Sequence, residues 1–232
     1  MILVNGGVTA AKGFLASGVK AGIKKSGNKD LALIYSEVPA VAAASFTTNR
    51  FAASPVKVSR LHIRHKTHQA VIVNSGNANC ANGTRGDAIA RMMAKLAAAA
   101  LGVNEKEVLV ASTGIIGRPL PIGKIEANIV PAVGNLSVQG GTAFAETIMT
   151  TDTVKKEIAV KVRLGGTVVT IGGACKGVGM IYPAMQLERH ATMLCFITTD
   201  AAISKAMLER ALGEAIEDSF NMVSVDGDNL RL

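Results

Sequence analysis

The stretch from Ala70 to Ala111 constrains this chain most. It reads as a strand, a helix and a second strand in succession. Ala70–Asn74 (Ala-Val-Ile-Val-Asn) is a short continuous apolar run, the pattern of a strand buried on both faces. Ser75–Gly86 is rich in Gly and Asn and reads as a loop. Asp87–Leu101 follows, with Ile89, Met92, Met93, Leu96 and Ala100 spaced along one helical face. Asp87, Arg91 and Lys95 lie on the other side at i, i+4 spacing, acid first, which favours the helix dipole. Gly102 supplies the stop, and Val108–Ala111 is the next strand.

The same reading extends along the chain. Asp30–Tyr35, Val41–Phe46 and Met193–Thr198 read as strands, and Val223–Val225 as the start of a last one. Ile158–Leu164 and Thr167–Ile171 form a hairpin around Gly165-Gly166. Pro121 opens a helix toward Val130, Thr142–Met149 forms a short helix, and Ser204 caps a helix over Lys205–Ser219 whose apolar face holds Leu208, Ala211, Leu212 and Ala215. The mixture is α/β or α+β, without a repeat or a long Pro/Ser linker.

Hydrophobic residues make up 49% of the chain and charged residues 18%, which excludes wholesale disorder. Aromatics are 3% with no Trp, so the core must be built from Ala, Val, Ile, Leu and Met. No apolar run approaches the ~20 residues that span a bilayer, so no membrane association is expected. The first residues lack a basic stretch followed by an apolar one, so no secretory signal is expected. Three cysteines, Cys80, Cys175 and Cys195, are odd in number and far apart in sequence. That argues against a disulfide framework or a zinc site and fits a reducing cytoplasm. Lys and Arg total 25 against 17 Asp and Glu, a net charge of +8. Such a surface attracts anions, carboxylate metabolites among them. Zinc-finger spacing, RNP aromatics and a ring-interleaved basic stripe are all missing, so nucleic acid is not an expected partner.

Four segments bear on chemistry. His62, His65 and His68 are three apart, but no carboxylate or thiolate stands near them in sequence, so no metal is expected and they read as a solvated polar connection. Asn74–Gly83 carries four Asn and two Gly after a strand. It serves either as a pocket lining rich in amide donors or as a scaffold of Asx turns. Ser112-Thr113-Gly114 is a Gly turn at a strand end, a place where backbone N–H groups can meet a developing oxyanion. It is not a phosphate-binding Walker loop. Thr192 stands after the small Ala191 and before an apolar β run. It reads as an ordinary strand-start residue, or as a nucleophile if the chain is cut before it so that its own freed amine becomes the base.

Taken together these segments resemble the ornithine acetyltransferase family of arginine biosynthesis, the bifunctional glutamate N-acetyltransferases. The resemblance rests on Gly7–Phe14, Phe46–Arg50, Asn74–Asn79, Ala111–Gly117, Ile148–Thr153, Lys176–Ile181, Ala191–Leu194 and Ile197–Ala201, all in family order. It implies a layered sandwich of β-sheets between helices, of the N-terminal-nucleophile type. It implies self-cleavage between Ala191 and Thr192. Residues 1–191 then correspond to the family's α chain and 192–232 to a truncated start of its β chain. Thr192 becomes the terminal nucleophile, accepts acetyl from N-acetylornithine as an ester and yields it to glutamate. Thr113 and Gly114 match the oxyanion-hole pair, Lys176 a substrate-binding lysine, and Thr150 or Thr151 a substrate-contacting threonine. No cofactor is implied, although some members take acetyl-CoA as donor, and the intact family assembles as α2β2.

Two departures accompany the resemblance. Gln186–His190 add five residues before Ala191, up to about 17 Å of chain when extended, which must loop out if Thr192 is to keep its place. The chain ends at Asn229–Leu232 rather than continuing into the family's C-terminal region. These leave open a non-catalytic remnant or assembly partner and, further off, a related self-cleaving amidohydrolase or aminopeptidase.

Overall fold

The computed structural model describes residues 1–47, 49–179 and 193–223. Among these residues, eight strands form two four-stranded sheets. The first sheet joins β2 (Phe14–Val19), β3 (Leu31–Ala40), β4 (His68–Asn77) and β5 (Val108–Ile115) in that order. Its first two junctions are antiparallel, and β4 and β5 run parallel. A parallel pair needs a crossover, here helix α2 (Gly83–Leu101). The second sheet, in order, joins β1 (Ile2–Val4), β6 (Lys156–Leu164), β7 (Thr167–Lys176) and β8 (Leu194–Thr199), all antiparallel. The β6–β7 hairpin turns on Gly165 and Gly166, both at positive φ, as the sequence predicts.

Two apolar cores set the layers. Leu31, Leu33, Ile72 and Val110 on one face of the first sheet pack against Ala90, Met93, Ala94 and Ala97 of α2 and against Ile125 and Ile129 of α3 (Ile122–Gly134). On the other face, Ala32, Ile34 and Val73 meet α4 (Gly141–Ile148), with Ala174 and Phe196 of the second sheet beyond it. Phe144 of α4 is fully buried and meets Phe196 edge-on at 5.2 Å. Burial of such a ring contributes about 1.5–3 kcal/mol and the edge-on contact about 0.5–1.5 more.

Helix α1 (Ser54–His62) closes the open edge of β5. Ser59 Oγ donates to the Val110 carbonyl at 2.7 Å and accepts from the Val110 N–H at 2.8 Å. His62 Nδ1 lies 2.8 Å from the Val108 carbonyl. The side chains thus satisfy backbone groups that a further strand would otherwise take. Helix α5 (Lys205–Glu217) is capped as the sequence predicts, with Ser204 Oγ accepting from the Met207 N–H.

Several expectations need correction. Residues 41–46 are not a strand. His68, the first residue of β4, already pairs with Ala40, so the ladder ends where 41 begins. The segment turns onto α1 instead, with the Arg60 guanidinium 5.7 Å over the Phe46 ring. Residues 75–77 extend β4 and Gly83–Gly86 form the first turn of α2, so the loop is shorter than its Gly content suggests. On α2, Ile89 and Met93 of the expected face are buried, but Met92 is exposed, and Ala90, Ala94, Ala97 and Ala98 widen the buried face, their small side chains letting the helix approach the sheet closely. Asp87 binds Ser54 and Lys57 of α1. Helix α3 continues past Val130 and through Pro131. On α5, Ala211 and Ala215 are exposed and Ile216 is the buried residue. His62 and His68 are buried, not solvated. Both serve the α1–β4 junction, where His68 Nε2 lies 3.0 Å from the His62 carbonyl. The expected strand at 223–225 falls mostly outside the described residues. No described helix is long and apolar enough to cross a membrane.

Candidate active site

The carboxyl ends of the parallel strands β4 and β5 open into a cavity of about 860 Å3. Crevices of open sheets form at such strand ends. The wall includes Gly76 and Asn77 from β4, Thr113 and Gly114 from β5, Thr150 and Thr151 after α4, Lys176 at the end of β7, and Leu194 at the start of β8. All five described residues expected at the site therefore meet in one cavity. Ala191 and Thr192 lie outside the described residues, as do Gln186–His190.

The Thr113–Gly114 turn owes its shape to a close backbone approach. Gly114 has φ 130° and faces Gly76, whose φ is 92°. A side chain at Gly114 would strike the neighbouring backbone, so only glycine fits. Beside it, the Thr113 hydroxyl has no hydrogen-bond partner among the described residues, although the residue is buried.

Lys176 is 4% exposed and donates from Nζ to Thr150 Oγ1 at 3.2 Å. Thr151 is exposed on the rim. Of the two threonines, Thr150 is the one joined to the lysine. Burial pulls the Lys176 ammonium below its usual range, and the nearby Asp152 carboxylate opposes this.

Sequence reading missed Asp152 as a support. It accepts from Lys156 Nζ at 2.5 Å, from the Gly177 N–H at 2.8 Å and from the Thr150 N–H at 3.2 Å. Burial alone would raise its carboxyl, but these donors outweigh burial and hold it below the usual carboxylate range. One carboxylate thus fixes the backbones on both sides of the Thr150–Lys176 contact. Asp152 was visible only as part of the motif Ile148–Thr153, without a role.

Lys24 was also missed. It stands on a loop whose N–H groups at Ala21 and Lys24 bind the fully buried Asp30 at 2.6 and 2.7 Å. Its Nζ donates to the carbonyls of Lys29 and Thr147. Burial lowers its basicity, and Asp30 and Asp152 oppose the shift. With Lys25, Arg118 and Lys176 it makes the lining cationic, and no carboxylate stands among the described lining residues. Such a cavity suits an anionic ligand. No cluster of His, Cys, Asp and Glu able to hold a metal occurs among the described residues.

The Asn-rich segment is chiefly a scaffold. Asn74 donates to the Asn77 carbonyl and accepts from Ser112 Oγ. Asn77 donates to the Arg118 carbonyl and accepts from the Asn79 N–H. Asn79 donates to the Gly86 carbonyl. Their amides tie β4, β5 and α2 together, and Asn77 also lines the cavity.

Comparison with known proteins bears on this arrangement. The model of the ArgJ family matches residues 15–229. The arginine biosynthesis bifunctional proteins ArgJ of Dehalococcoides mccartyi and Thermosynechococcus vestitus are 51% and 49% identical, over 98% and 97% of this chain. The matches cover 55% and 53% of those proteins, so the chain spans about half the length of these curated relatives. Among solved structures, ArgJ of Bacillus halodurans superposes with a TM-score of 0.74 at 42% identity, covering 79% of this chain and 97% of that one. Ornithine acetyltransferase of Mycobacterium tuberculosis, solved with ornithine, gives 0.72 at 40% identity, covering 78% and 97%. An L-aminopeptidase D-Ala-esterase/amidase of Ochrobactrum anthropi, described as a variant of the Ntn hydrolase fold, gives 0.54 at 15% identity over 97% of this chain and 70% of that one. That last likeness is one of fold alone. With the family model matched over most of its length, this chain belongs to the ArgJ family.

Proposed function

We propose that this chain carries the nucleophile-bearing part of a glutamate N-acetyltransferase of arginine biosynthesis, moving acetyl from N-acetylornithine to glutamate. The observation that carries the reading is the convergence of Thr113, Gly114, Thr150 and Lys176 on one cationic cavity beside Leu194. Leu194 is paired with Lys176 across β7–β8. Thr192 is two residues earlier in sequence, and two residues of chain reach at most about 7 Å.

In this mechanism Thr192 Oγ1 first attacks the Ala191 carbonyl, and the peptide bond becomes an ester that water then cleaves. The freed α-amine of Thr192 next takes the hydroxyl proton as Oγ1 attacks the acetyl carbonyl of N-acetylornithine. The negative charge that develops on the carbonyl oxygen is met by the Thr113–Gly114 turn, whose donors are fixed before the reaction. Ornithine leaves with the proton, and the glutamate amine attacks the acetyl-threonine ester and frees Thr192. Lys176, steadied by Thr150, holds the substrate carboxylate as a point charge. The scheme requires no cofactor; acetyl-CoA would enter only as an alternative donor. We read the protein as cytoplasmic and, once cleaved, as part of an α2β2-type assembly.

A denaturing mass measurement, paired with an acetyl-transfer assay, tests this. Two fragments split at Ala191/Thr192, with acetyl transfer that is lost in Thr192→Ala, are the expected result. One intact species without transfer favours the remnant reading. Transfer unchanged in Thr192→Ala removes Thr192 from the chemistry.

A further inference from the structure

The outer face of the second sheet carries a feature separate from acyl transfer. Cys175 on β7 and Cys195 on β8 stand directly opposite each other. Antiparallel ladders alternate between hydrogen-bonded and non-hydrogen-bonded pairs. The Asp200 N–H donates to the Thr170 carbonyl at 3.3 Å, which makes Thr170/Asp200 a hydrogen-bonded pair. With the register unbroken, Gly172/Thr198, Ala174/Phe196 and Lys176/Leu194 are also bonded pairs. Cys175/Cys195 is therefore a non-hydrogen-bonded pair, the kind in which Cα atoms approach to about 4.5 Å and side chains lie nearest. Disulfides bridge Cα separations of about 4.4–6.8 Å. Both cysteines are free thiols and partly exposed. Their neighbours Ala174 and Lys176 point inward, so the pair faces out with Ile171 and Ile197. Far separation in sequence concealed a pair that the β7–β8 ladder brings together.

We propose that Cys175 and Cys195 form a reversible disulfide site, oxidised by a small-molecule disulfide such as oxidised glutathione. The Cys175 thiolate attacks one glutathione sulfur, forming a mixed disulfide and releasing one glutathione thiol. Cys195 then gives its proton to solvent and attacks Cys175 Sγ, releasing the second glutathione. Two protein thiols are oxidised and one glutathione disulfide is reduced to two thiols. The order of attack follows from the surroundings. A hydrogen bond from Cys195 lowers the Cys175 thiol against the effect of burial, with help from Lys156 and Lys176. The same hydrogen bond, together with burial, pushes Cys195 up. Such a pair in a reducing compartment is redox-responsive rather than structural. The bond would span the Ala191–Thr192 step and so hold both fragments together after cleavage. That consequence rests on the proposed self-cleavage; the disulfide itself does not.

The test treats the native full chain with oxidised glutathione, alkylates the remaining thiols after denaturation, and maps the peptides. Two of the three cysteines are expected to escape alkylation as one Cys175–Cys195 cross-link, with Cys80 alkylated and all three restored by dithiothreitol. Cys80→Ser keeps the link, and Cys195→Ser leaves Cys175 as a stable glutathione adduct. A link to Cys80, a wild-type adduct stalled at Cys175, or three alkylated cysteines overturns the proposal. Cleavage is read separately. Fragments that part only on reduction report both events, and fragments that part without reductant report cleavage without the disulfide. A cross-linked chain that stays whole on reduction reports the disulfide without cleavage.

Discussion

Gly114 of β5 lies directly across from Gly76 of β4, so close that a Cβ on Gly114 would fall 2.5 Å from the Gly76 carbonyl carbon and 2.6 Å from the Asn77 nitrogen. Two parallel strands meet here at bare backbone, and their register shifts between Gly76 and Asn77. The turn that follows Thr113 is aimed into the cavity as a result. The shape of the proposed oxyanion site is thus set by what two residues lack.

Gly114→Ala is therefore expected to destabilise the fold. Positive φ at a non-glycine residue costs about 1–3 kcal/mol, and relief of the backbone contact adds to it. Urea unfolding should show a lower midpoint at unchanged slope. A midpoint equal to that of the parent would mean that the turn is not held by this contact.

Lys176→Met should weaken substrate binding more than turnover. A hydrogen bond to a charged group is worth about 1.5–3 kcal/mol, which corresponds to a rise in KM of roughly 10- to 150-fold. Steady-state kinetics with N-acetylornithine and with glutamate measure it. An unchanged KM for both would remove Lys176 from carboxylate recognition.

Asp152 sets a pH dependence. Its folded carboxyl lies below the usual range, so in the window under the unfolded value of about 3.9 the unfolded chain binds more protons. The stabilisation is complete above that value and is lost as pH falls through the folded one. Asp152→Asn should be less stable than the parent at pH 7, and the gap should close in acid below about pH 4. A gap independent of pH would show that the charge of Asp152 contributes nothing.

Much of this was legible in the sequence, for identifiable reasons. The Asp87–Leu101 helix, the Gly165-Gly166 hairpin and the Ser204 cap are local signals, and the chain obeys them. Residues 41–46 misled because an apolar run does not reveal whether a partner strand remains, and β4 gives out at His68. The histidines misled because polarity says nothing about a carbonyl waiting across the fold, as Val108 waits for His62. Thr113 and Gly114 were legible as a Gly turn at a strand end, whereas Lys176 and the threonine pair came from resemblance, not from spacing. Asp152 and Lys24 escaped because their partners lie far along the chain: Gly177 is 25 residues from Asp152, and Thr147 is 123 from Lys24.

The central claim is that a freed threonine carries the acetyl group. The full chain, incubated with N-acetylornithine in the absence of glutamate and then digested for mass analysis, examines this directly. The account predicts a peptide beginning at Thr192 that bears one acetyl group and loses it when glutamate is added. Acetyl transfer that proceeds while Thr192 stays unmodified and joined to Ala191 would contradict it.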